Sequence, residues 1–141
     1  MIVTDLEELI VRHEGMILHP YNDTVGKLTI GVGRNLSDNG ITEEEARFLL
    51  HNDLYTALET ARALVPTFDT LSRPRQLVVA SMAFNLGQKR LAGFKKMLIA
   101  LQAGDYSKAA DEMLNSAWAV QVGNRSHELA AMMRGNLSTE V

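Results

Sequence analysis

The sequence predicts an α+β fold that is mainly α, and three features of the apolar pattern carry that reading. Apolar residues recur at helical spacing over residues 4–14 and stop at a glycine. Residues 16–36 read as short strands separated by turn residues. From residue 42 to about 134 the spacing is helical again, broken only briefly. A chain of 141 residues with 46% apolar content suits one domain with a real core. Two lobes are expected within it: a small β-hairpin lobe over about 15–41 and a helical lobe over 66–141. A connecting helix, 42–65, would lie between them, with the first helix joined to the helical lobe.

In the first segment Leu6, Leu9, Ile10 and His13 keep one helical face, and Thr4 with Glu7 offers a capping box. Gly15 is the natural terminator, because glycine accepts the left-handed conformation that ends many helices. Two strands follow, joined through Asn22-Asp23-Thr24-Val25-Gly26, a run with turn chemistry. Gly31 and Gly33 are expected to bend the backbone sharply, and no phosphate-binding glycine motif accompanies them. Residues 35–40 read as a turn cluster. Thr42 and Glu45 then form a second capping box, with Glu43 and Glu44 where the helix dipole favours acids. That helix should run to Leu64, ahead of Pro66.

Beyond Ser72, Pro74 suits a first helical turn, and the apolar run LVVASMAFNLG reads as the centre of a bundle ending at Gly87. Glycines 93, 104 and 123 divide the remainder into helices near 94–103, 106–114, 116–121 and 125–134, followed by a frayed tail, GNLSTEV. Met82, Met97, Met113, Met132 and Met133 fall at helical positions and read as core filler.

Composition excludes several classes of function. Without cysteine there is neither a disulfide framework nor a thiolate metal site, and the four histidines lack metal-binding spacing, so no metal or cofactor is expected. No secretory signal or membrane-spanning run is visible, which predicts a soluble protein made in the cytoplasm, without stable membrane insertion. Residues 1–72 carry five Lys/Arg against twelve Asp/Glu, a balance of −7, whereas residues 73–141 carry nine against five, a balance of +4. Opposed halves of this kind could draw an anionic polymer into a groove, or simply reflect scatter. The total of −3 argues against nucleic acid as the partner.

Three groups in HEGMILHPYNDTVGKLTIGVG, residues 13–33, could do chemistry. Glu14 falls at the C-terminal end of the first helix, where the dipole disfavours an anion and so favours a protonated carboxyl, as a general acid requires. Asp23 falls in a turn, where it should be solvated and ionised. Thr29 adds a hydroxyl able to orient a water. Two carboxyls in unlike settings are the mark of an acid and base pair. The residues themselves leave two readings open: a two-carboxylate hydrolytic site, or two solvated surface acids.

Glu-x8-Asp-x5-Thr, set among Gly15, Tyr21, Gly26 and Ile30-Gly31, closely resembles the catalytic segment of the phage-type lysozymes, the muramidases of glycoside hydrolase family 24. The likeness continues through GITEEEARFLLHNDL, AFNLG, LAGF and GDYSKAADEMLNSAWAVQVGNR, and so covers nearly the whole chain. It implies a two-lobed lysozyme-like fold with a cleft between the lobes. It also implies hydrolysis of the β-1,4 bond between N-acetylmuramic acid and N-acetylglucosamine in peptidoglycan, by inversion. A carboxyl separation of roughly 6.5–9.5 Å would agree with inversion. Glu14 would be the acid, and Asp23 with Thr29 would place the attacking water or stabilise developing positive charge.

By the same resemblance Phe84 and Asn85 line the saccharide site, Arg125 contacts the catalytic Glu14, Trp118 belongs to the core, and Arg34 pairs with Asp53. Arg125 would oppose the effect of the helix end on Glu14, and the sequence does not say which wins. The loop before the connecting helix is shorter than in the T-even phage enzyme, and two of that enzyme's polar sugar-contacting positions fall on Met97 and Glu112. A monomeric endolysin of this kind would need a holin-like permeabilising protein to reach the wall. Virion-associated and prophage-derived settings fit equally. The rival functions are a lytic transglycosylase, which cuts the same bond without water, and an inactive wall-binding module.

Overall fold

The computed structural model describes residues 2–135; the tail from 136 onward, where fraying was expected, lies outside the described residues. The chain is α+β and mainly α. Helix α1 (Ile2–Glu14) leads into strands β1 (Ile17–Asn22), β2 (Leu28–Gly31) and β3 (Arg34–Asn35), then a single helical turn α2 (Leu36–Asn39) and the long α3 (Glu43–Leu64). A short 3-10 helix (Phe68–Thr70) and five α-helices complete the described residues: α4 (Arg73–Ala92), α5 (Lys95–Gln102), α6 (Tyr106–Leu114), α7 (Ala117–Val122) and α8 (Asn124–Arg134). The chain separates into two compact units, Met1–Phe48 and Leu49–Val141, with the boundary inside α3.

The first unit is built on an antiparallel sheet in the order β1-β2-β3. Thr29 sits on the middle strand, opposite Tyr21 of β1 and Asn35 of β3. Two expectations for this unit are corrected. Helix α1 is already under way at Ile2, so Thr4 lies inside it and does not serve as its N-cap. Residues 36–39 form a turn of helix rather than a plain turn, because the Asn35 side chain accepts from the Asp38 amide at 3.0 Å and caps it.

The capping box at Thr42 forms as expected. The Thr42 amide donates to Glu45 Oε1 at 2.8 Å, and the Glu45 amide donates to Thr42 Oγ1 at 3.1 Å. A third correction concerns Arg34, whose carboxylate partner is Glu45 and not Asp53. Its two terminal nitrogens donate to the two oxygens of Glu45 at 2.8 and 2.6 Å. The reason is proximity in the chain: the capping box already holds the Glu45 carboxylate at the start of α3, eleven residues from Arg34. A planar guanidinium matches both its oxygens at once.

In the second unit α4 contributes six buried residues, Val78, Val79, Met82, Ala83, Leu86 and Leu91. Its chain is helical from Arg73 to Ala92 except at Gly87, where φ is 78° and ψ 172°, so the break expected at Gly87 is real but the helix resumes after it. All five methionines singled out above are buried. Trp118, 3% exposed, packs edge-on against Phe94 with ring centroids 6.2 Å apart. The end of α8 is held by Arg75, which donates to the carbonyls of Met133 and Arg134 while stacking 3.7 Å above the Tyr106 ring.

Candidate active site

Glu14 is the last residue of α1. The Gly15 amide closes the final turn onto the Val11 carbonyl at 2.8 Å, and Gly15 then leaves the helix at φ 74°. The carboxylate is solvent-exposed and faces the bend between β2 and β3: a Cβ placed on Gly33 would lie 3.9 Å from Glu14 Oε2. Gly31 and Gly33 both have positive φ, 72° and 79°, which is what sends the chain round this bend.

Asp23 opens the turn after β1. Its Oδ1 accepts two backbone amides, from Val25 at 2.9 Å and Lys27 at 2.8 Å, so the carboxylate is held by the turn that it helps to form. The second oxygen, Oδ2, has no hydrogen-bond partner among the described residues. Thr29 follows on β2 with only 4% of its surface exposed, and its hydroxyl donates to the Lys27 carbonyl at 2.9 Å. With that one proton committed, the hydroxyl is left as an acceptor, which narrows the donor-and-acceptor role expected of it.

These three residues belong to one unit, and two of them are bonded to the same backbone residue. The remaining candidates stand on the second unit. Phe84 is 49% exposed on α4, an unusual place for a phenylalanine that only packs a core. Next to it, Asn85 accepts from Trp118 Nε1 at 3.0 Å, so its carbonyl is fixed inward and its amide nitrogen is left for other partners. Arg125 is exposed in the first turn of α8. Among the described residues no three His, Asp or Glu side chains converge where a metal could sit, and no helix is long and apolar enough to cross a membrane.

The electrostatics of the first unit are dominated by one pair. The Arg34 hydrogen bond holds the Glu45 carboxyl down at about 2, from an ordinary 4.5, with help from the Thr42 amide. Glu45 correspondingly raises Arg34. Sequence reasoning did not connect these two residues. The available signal was the capping box itself, which fixes the Glu45 carboxylate at the helix start, where both its oxygens meet a nearby cation. It also passed over Lys27, whose peptide groups hold both Asp23 and Thr29; backbone roles of that kind leave no trace in residue identity.

Comparison with known proteins identifies the family. The family profile described as phage lysozyme matches residues 11–134. The chain belongs to the phage lysozyme family. Among its relatives, an endolysin of Acyrthosiphon pisum secondary endosymbiont phage 1 is 32% identical, over 84% of this chain and 81% of that protein. A probable T4-type lysozyme 2 of Dictyostelium discoideum is 25% identical, over 93% of this chain and 94% of that one. The pre-baseplate central spike protein Gp5 of Enterobacteria phage T4 is 31% identical over 95% of this chain, which spans only 28% of the length of the spike protein. In this member of the phage lysozyme family Glu14, Asp23 and Thr29 all lie within the matched region.

Proposed function

We propose that this phage lysozyme family member is a glycoside hydrolase acting on bacterial cell walls. Its bond would be the β-1,4 linkage from N-acetylmuramic acid to N-acetylglucosamine in peptidoglycan. The observation that carries the reading is the shared anchoring of Asp23 and Thr29 on Lys27, which leaves two acceptors and no competing donor. A water donating its two protons to Asp23 Oδ2 and Thr29 Oγ1 keeps a lone pair free for the anomeric carbon. Glu14 delivers the proton that the leaving glycosidic oxygen needs, and Asp23 takes up the proton that the water loses. Because the water adds from the face opposite the leaving group, the product is inverted.

Phe84 offers an apolar face to a sugar ring, and the free amide nitrogen of Asn85 can donate to a sugar oxygen or acetamido carbonyl. Arg125 offers an exposed cation on the second unit. The endolysin relative supports a role in host lysis, in which a separate membrane-permeabilising protein gives a monomeric enzyme access to the wall. The test is turbidity loss of outer-membrane-stripped cells, with mass analysis of the released fragments. Hydrolysis gives products one water heavier than the anhydro sugars of a transglycosylase; anhydro products, or no clearing at all, would overturn the proposal.

A further inference from the structure

The hairpin tip that faces Glu14 is weakly held by its own backbone. Strand β3 has two residues, and its register with β2 rests on Thr29 opposite Asn35 and Ile30 opposite Arg34. The tip between these strands, Gly31-Val32-Gly33, carries two glycines at positive φ, and glycine restrains a chain least of all residues. The Glu14 carboxylate beside Gly33 is exposed and has no ion-pair partner within 4 Å among the described residues of the first unit. Side chains of β3 supply what the backbone lacks. Asn35 is tied to α2, accepting the Asp38 amide at 3.0 Å and donating to Asp38 Oδ2 at 2.9 Å. Arg34, the residue directly after Gly33, donates to the two oxygens of Glu45 at 2.8 and 2.6 Å and to the Gly40 carbonyl at 3.2 Å. Glu45 is in turn held by the Thr42 amide at the first turn of a 22-residue helix. A planar guanidinium bonded at three points resists rotation as well as displacement. Hydrogen bonds therefore run without a gap from the start of α3 to the residue next to the one that faces Glu14.

We infer that Arg34 and Glu45 are positioning residues for the general acid: by anchoring the Gly31–Gly33 tip they hold the wall against which the Glu14 carboxyl is aimed. The inference rests on the reading of Glu14 as the group that protonates the leaving glycosidic oxygen, and names what keeps an exposed side chain at a helix end in place for that task. The proton passes from Glu14 to the glycosidic oxygen as the bond to the anomeric carbon breaks, so the step needs the two oxygens at hydrogen-bond distance. With the anchor cut, the two glycines let the tip swing, and the carboxyl loses its wall. A misplacement of about 1 Å in a reacting group costs on the order of 10²-fold in rate. Asp23 and Thr29 are bonded to Lys27 instead, so the anchor acts on proton delivery and leaves the groups that hold the water tied as before.

The experiment compares two substrates that differ in their need for an acid. Natural glycan strands have a sugar alkoxide as leaving group and require a proton. The β-2,4-dinitrophenyl glycoside of the N-acetylglucosaminyl–N-acetylmuramic acid disaccharide expels a phenolate that leaves without one. Arg34→Gln should lower kcat on strands about 10- to 100-fold with little change in KM, and should leave the rate on the dinitrophenyl glycoside within about twofold of the parent. Arg34→Lys, which keeps the charge but not the fork, should recover part of the loss. Glu14→Gln should show the same contrast between the substrates, and adding Arg34→Gln to it should slow strand cleavage no further, because the two residues act on one step. A merely structural role lowers the folded fraction and so slows both substrates alike. Equal slowing of both by Arg34→Gln, an unchanged rate on strands, or full additivity with Glu14→Gln overturns the positioning role while leaving hydrolysis intact. A parent chain that cuts no strands rejects the cell-wall reading, and the inference with it.

Discussion

Asp23 and Thr29 are tied to the two faces of a single backbone residue. The Lys27 amide donates to Asp23 Oδ1 at 2.8 Å, and the Lys27 carbonyl accepts from Thr29 Oγ1 at 2.9 Å. The same carbonyl also accepts the Asp23 amide at 2.9 Å, closing the turn between β1 and β2. A carboxylate and a hydroxyl six residues apart are therefore both held by hydrogen bonds to one backbone residue.

Removing the hydroxyl while the Asp23 amide still holds the Lys27 carbonyl should separate chemistry from folding. Thr29→Val keeps the buried shape but leaves the attacking water one acceptor short, and kcat should fall on the order of 10²-fold with KM little changed. Thr29→Ser, which keeps the hydroxyl, should recover most of that loss. Steady-state rates on soluble glycan strands measure both.

Glu14→Gln removes the transferable proton at an exposed helix end where no fold-determining contact is made, so activity should fall by about 10²- to 10⁴-fold with an unchanged unfolding midpoint. Clearing of purified cell wall, read beside circular dichroism, distinguishes the two quantities. A variant that clears at the original rate would exclude Glu14 as the acid.

Gly33→Ala tests the bend that faces Glu14. At φ 79° an alanine is strained, at a cost of about 1–2 kcal/mol, while its Cβ would meet Glu14 Oε2 only at ordinary contact distance. The expected result is a lowered urea midpoint, together with a loss of rate because the backbone beside the acid shifts.

The Arg34–Glu45 pair sets an acid dependence. Glu45 is held at about 2 when folded, below its ordinary 4.5, so the unfolded chain takes up the proton first as pH falls. The stabilisation is complete above pH 4.5 and is lost as pH drops toward 2. Glu45→Gln keeps the capping box but weakens the pair with Arg34. Its urea midpoint should lie below that of the parent chain at pH 7, and the two should converge near pH 2.

Asn85 links the proposed saccharide face to the core through the Trp118 indole. Asn85→Leu leaves that buried N–H without an acceptor and without water, and should destabilise the chain by about 1–3 kcal/mol in urea unfolding. Asn85→Ala admits water to the indole and should cost less. A shift in tryptophan emission would accompany both.

Much of this protein was legible residue by residue. Gly15 ends α1 because glycine alone takes positive φ freely, and the box from Thr42 to Glu45 starts α3 because its two side chains satisfy two amides within one turn. The methionines went inside for reasons of size and polarity that their spacing already expresses, and Trp118 is buried as the resemblance implied. Glu14, Asp23 and Thr29 could be named as candidates from one short stretch, although periodicity alone left them indistinguishable from surface acids. What failed also has a common cause. Thr4 was read as a cap because cap chemistry is local, while where a helix begins depends on which turns before it are stable.

What the sequence by itself determined is the set of short-range choices, made wherever a side chain acts on backbone within about four residues. Tertiary structure decided the partnerships: Trp118 for Asn85, and Gly33 as the neighbour of Glu14. Those depend on how distant segments come together, and several residues of equal chemistry compete for each place. Only the folded path of the chain selects among them.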